Sequence, residues 1–126
     1  MSEFTITELE AAQKAILSTI HKNEKAKVTL SEKQTPCTSQ MTMVAKNLRV
    51  HYIASSLIAK ALEKDFLYNY SKEELEEAMQ AIPLFIQRIE NVKPKFREGT
   101  PQHTLAIRRI KAFHISLALI ERELDL

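Results

Sequence analysis

The side chains in this sequence that invite chemistry are few: four histidines, one cysteine and a run of basic residues in the C-terminal third. His103 and His114 would lie three turns apart on one face of a helix, too far to share a metal ion, because ligands on one helix sit at i and i+3 or i+4. The Glu-x-x-His pairs that hold iron in carboxylate-bridged bundles do not occur around His21, His51, His103 or His114. No metal and no cofactor is therefore expected, and the histidines read as boundary residues with a satisfied hydrogen bond. His51, with Ser55 one turn on, reads as a small buried polar contact rather than a general base. Cys37 follows Pro36 and would be a nucleophile only with a base held beside it. A lone cysteine also makes no internal disulfide and no multi-cysteine zinc site. The single glycine, Gly99, rules out the glycine-rich phosphate loops, and no nucleophile-elbow motif is present. The expectation is a non-enzymatic protein.

The basic run is the second chemical feature. Between residues 88 and 111, Arg88, Lys93, Lys95, Arg97, Arg108, Arg109 and Lys111 give seven positive charges against Glu90 and Glu98. By contrast Glu63, Asp65, Glu73, Glu74, Glu76 and Glu77 outweigh Lys64 and Lys72, so the molecule is expected to be polar end to end. Lys93, Lys95, Arg97, Arg108, Arg109 and Lys111 are the candidate anion-binding residues, facing phosphates or an acidic protein. The net charge of +2 is too balanced to imply a nucleic-acid partner by itself.

These residues need elements to hold them. The chain has 126 residues, 44% of them hydrophobic and 27% charged, which suits a single domain over 1–126 with one core. Scarce glycine and proline beside abundant Ala, Leu, Ile, Glu and Lys predict an all-α fold. Thr7 with Glu10 is read as a capping box opening a first helix over about residues 8 to 23. From Asn23 to Thr38 the apolar period fails and Val28 to Leu30 reads as extended, which predicts a long first connection. Thr38 or Ser39 caps a second helix running to about Lys64. Ser71 with Glu74 caps a third, whose Pro83 should kink it or divide it in two. Thr100 followed by Pro101 opens a fourth. Short connections between helices two, three and four favour a four-helix up-and-down bundle. No apolar run approaches the roughly 20 residues of a membrane span, and the lone thiol suits the cytoplasm.

The second helix has an unusual pattern. Met41, Val44, Ala45, Leu48, Tyr52, Ala59, Leu62 and Phe66 form one apolar stripe, while Val50, Ile53, Ala54, Leu57, Ile58 and Ala61 form another nearly opposite. A bundle helix ordinarily needs one stripe. Two readings compete: the second helix sits centrally, with the first helix and the long connection covering the extra face, or Val50, Ile53, Leu57 and Ala61 are candidate partner-binding residues, pairing with a second copy or with another protein's helix. The expected function is that of a helical interaction or regulatory protein working through this face. The alternative is a nucleic-acid-associated regulator using the basic patch.

Overall fold

In the computed structural model, residues 4–32, 38–62 and 70–125 are described. The first helix, α1, spans Ile6–Ser31 and starts on a capping box two residues earlier than the sequence suggested. Thr5 Oγ1 accepts from the Glu8 amide and Glu8 Oε1 accepts from the Thr5 amide, both at 3.0 Å. Thr5-x-x-Glu8 and Thr7-x-x-Glu10 share the same spacing, so a further contact must choose between them. With Thr5 as cap, Phe4 and Leu9 take the two positions of a hydrophobic staple, and both join the core. A cap at Thr7 would give the second of those positions to Ala11, which is exposed.

The long first connection is corrected: residues 24–31 are helix, not an extended crossover. Glu24, Lys25, Ala26 and Lys27 are competent helix formers, and the β-branched pair Val28 and Thr29 costs only tenths of a kcal/mol each. The N-terminal half of α2 (Thr38–Ala61) supplies tertiary support alongside. Tyr52 donates to Glu24 Oε2 at 2.7 Å across the two helices. Ser31 and Thr38 thus bracket a short link, and Pro36 and Cys37 lie outside the described residues. So do residues 63–69, including Phe66 and the expected end of the second helix at Lys64.

The third helix, α3, spans Lys72–Val92 and begins on the expected Ser71–Glu74 box. It passes through Pro83 as one element, so it is not divided in two. Pro83 is exposed there, which places the missing backbone donor on the wet side of the helix. A 3-10 turn, Lys93–Lys95, leads to Gly99, whose φ of +85° is the left-handed geometry that glycine adopts freely. Thr100 then caps α4, which spans Pro101–Leu124, accepting from the His103 amide at 3.3 Å.

Successive helices run antiparallel. Gln13 Nε2 donates to the Ser55 carbonyl at 3.1 Å between α1 and α2, and Arg49 meets Glu77 at 3.5 Å between α2 and α3. The last helix returns alongside the first, with Lys111 Nζ 3.3 Å from Glu8 Oε2. An all-α four-helix bundle results. Its diagonal is asymmetric: α2 and α4 meet through the middle, sealed near one end by Lys60 and Glu123 at 2.6 Å, while the backbones of α1 and α3 stay apart. No helix among the described residues is long and apolar enough to cross a membrane.

The interface expected on α2 is also corrected. Val50, Ile53 and Leu57 are 1%, 3% and 2% exposed within this one chain, and Ala61 is half-buried against the same core. Ala54 and Ile58, on the same stripe, are fully enclosed. Central placement explains this, because α2 is packed by α1, α3 and α4 together. Each of the large aliphatic side chains on the stripe contributes about 1.5–3 kcal/mol by leaving water. The other stripe is the wetter one: Met41, Val44 and Ala45 are half-buried and Tyr52 is exposed.

Candidate functional site

Because α2 and α4 occupy the middle, α1 and α3 leave a cleft between them at the end where α3 stops and α4 starts. Helical spacing puts Arg88 and Val92 on one face of α3, and Leu105 and Arg109 on one face of α4. Ile89, Phe96 and Ala106 complete an apolar wall, and Lys22 enters from α1. The cavity measures about 320 Å³. An adjoining recess of about 210 Å³ shares Lys22, Arg88, Ile89 and Arg109 and is also lined by His51, Phe85 and Phe113.

Neither space is lined by a carboxylate. The ion pairs among the described residues join Arg49 to Glu77, Lys60 to Glu123 and Lys111 to Glu8, so none of them engages Lys22, Arg88 or Arg109. Arg109 is the most constrained of the three. It is half-buried, its Nε is shut off from solvent with no hydrogen-bond partner, and its Nη2 makes only a long 3.5 Å contact to Ser18 Oγ. Desolvation pulls its pKa down from the ordinary arginine value. A buried donor without an acceptor costs about 1–3 kcal/mol; the Nε is enclosed by protein, so the guanidinium's other nitrogens are the ones left to meet an anion in the cleft.

His51 is buried beside this cluster. Its Nδ1 donates to the Asn47 carbonyl one turn back, which fixes the tautomer and leaves Nε2 as the acceptor. The ring stacks on Phe85 with centroids 4.9 Å apart and meets Phe113 edge-on at 5.5 Å. Ser55, the partner expected from sequence, instead donates to Gln13 Oε1 at 2.9 Å. Burial lowers the His51 pKa; the Asn47 carbonyl opposes that shift and the Arg109 charge adds to it.

A pH dependence follows. In the unfolded chain His51 takes up a proton near its ordinary pKa of 6.5, whereas the folded chain resists protonation. Its contribution to stability is therefore complete above that value and is lost as pH falls below it toward the depressed folded value. Urea midpoints are expected to drop between about pH 7.5 and pH 5, and His51→Phe to flatten that slope. Glu8, held below the usual carboxylate range first by the Thr5 amide, loses its contribution only below its ordinary 4.5, outside that interval. Equal slopes in the two proteins would show that the imidazole is not kept neutral by the fold.

The basic residues anticipated as one patch are dispersed. Of that run, Arg88 and Arg109 line the cleft, and of the six candidate anion-binding residues only Arg109 does. Arg108 and Lys111 point into the α1 groove, where Lys111 is paired with Glu8. Lys93, Lys95 and Arg97 surround Phe96 on the connecting turn, with Lys95 and Arg97 exposed. Lys22 was not anticipated, and no local pattern around it distinguishes it from the other surface lysines of α1. Among the described residues no group of three histidine, cysteine or acidic side chains is placed to hold a metal ion. No protein-family model, no curated protein and no solved structure matches this chain.

Proposed function

We propose that this is a non-enzymatic helical binding protein, of the regulatory or adaptor kind, that captures an anionic group in the cleft between α1, α3 and α4. The observation that carries the proposal is Arg109: a half-buried guanidinium in none of the ion pairs among the described residues, flanked in the cleft by two more cations and by no carboxylate. The interaction role argued from sequence is retained, but its surface moves from the buried stripe of α2 to this cleft. A cytoplasmic setting belongs to the same proposal, supported by the lone cysteine.

Thermal unfolding followed by circular dichroism, in sodium phosphate against sodium chloride of equal ionic strength, tests it. A ligand at ten times its Kd stabilises the folded state by about 1.4 kcal/mol. For a chain of this size that is a rise of several degrees in Tm. Arg109→Ala and Arg88→Ala are expected to abolish the phosphate increment while keeping the helical signal. Identical midpoints in the two salts would remove the proposal. A second reading, contact with nucleic-acid phosphates, is favoured by Lys95 and Arg97, exposed on the segment that brings Phe96 to the cleft. Salt-dependent retention on DNA that is lost in a Lys95→Ala/Arg97→Ala variant but kept in Arg109→Ala would support it.

A further inference from the structure

We infer that the cleft is built for a small amphiphilic anion, a carboxylate or phosphate ester carried on an apolar body, an inference that rests on the anion-capture reading above. The outer cavity has two chemically distinct sides. Arg88, Arg109 and Lys22 supply positive charge, while Ile89, Val92, Phe96 and Leu105 form a continuous apolar wall. Val92 and Leu105 are 42% and 38% exposed, so part of that wall is wet. An inorganic anion would satisfy the cations and leave the wall in water. A purely apolar molecule would cover the wall and leave the half-buried guanidinium with only its long contact to Ser18. Only a ligand with both parts answers both sides.

Size narrows the class. A volume of about 320 Å³ lies at the lower end of the range for small-molecule sites, roughly 300–1,000 Å³. It suits a short alkyl chain or a single ring and excludes a helix or a nucleic-acid duplex, each at least about 10 Å across with its side chains or grooves. Arg88 of α3 and Arg109 of α4 both line the cleft, and guanidinium groups recognise planar or tetrahedral oxyanions through paired N–H donors.

The experiment is calorimetric titration of the intact chain with acetate, butyrate, hexanoate and octanoate, all below micelle-forming concentrations, at constant ionic strength and near neutral pH. Affinity is expected to rise by about fourfold for each added methylene until the wall is covered, then to level off. Arg109→Ala should weaken every member of the series by a similar factor. Leu105→Ser should reduce the chain-length dependence, weakening octanoate far more than acetate, and Val92→Ser, on a different helix, should do the same if Leu105→Ser proves unstable. 1-Octanol should bind more weakly than octanoate. Equal affinity for acetate and octanoate overturns this inference while leaving the anion-capture reading intact. Octanoate binding that survives both Arg109→Ala and Leu105→Ser also overturns it, because the molecule then sits elsewhere. No heat from any carboxylate, together with no stabilisation by phosphate, removes both.

Discussion

Leu57→Glu is expected to unfold the protein rather than to release a partner from it. Leu57 is enclosed on the inward stripe of α2 together with Ile53, Ala54 and Ile58. A glutamate there loses the leucine's apolar burial and must either hold an unpaired charge out of water or become neutral at a cost set by its shifted pKa. The combined loss is about 5 kcal/mol or more, against a total stability of about 5–15 kcal/mol for a domain of this kind. The measurement is far-ultraviolet circular dichroism with light scattering behind a sizing column. Loss of the helical signal at every protein concentration is the expected result. A variant that stays fully helical while its mass halves would show that this stripe faces another molecule. Leu57→Ala provides the milder comparison, with an expected loss of about 2–5 kcal/mol and a folded product.

Phe113→Ala should have the next largest effect, about 3–5 kcal/mol. The ring is almost fully enclosed, lies 5.6 Å from Phe85 and meets His51 edge-on, so its removal breaks both aromatic contacts at once. The space it leaves joins the recess of about 210 Å³ that Phe113 helps to line. Water admitted there would relieve the desolvation that holds His51 neutral, so the pH slope described above should shrink together with the urea midpoint. A loss below about 1 kcal/mol would mean that the ring is not packed as the structure places it.

How far the sequence disclosed these features depends on the range of the forces behind them. The Ser71–Glu74 box and the Thr100–Pro101 start are decided within four residues, and both occur as read. The start of α1 was two residues off because two identical boxes compete and a staple involving Phe4 and Leu9 settles the choice. Residues 24–31 were misread because their apolar period is weak. Their helical state leans on α2, packed alongside them, through contacts such as Tyr52 with Glu24.

The two stripes of α2 were visible, but which one faced inward was not, since that depends on three neighbouring helices rather than on α2 itself. The cleft was the least legible feature. Lys22, Arg88 and Arg109 stand on three separate helices, and they converge only because α2 meets α4 and holds α1 away from α3.

The cleft draws on the first helix and on the last, with Ser18 and Arg109 bridging them. A form in which α1 peels away has no such pocket, so any molecule that occupies it selects the fully zipped chain. Occupancy and the fastening of the N-terminal segment are then one equilibrium: whatever frays α1 empties the pocket, and whatever fills the pocket slows amide exchange along α1.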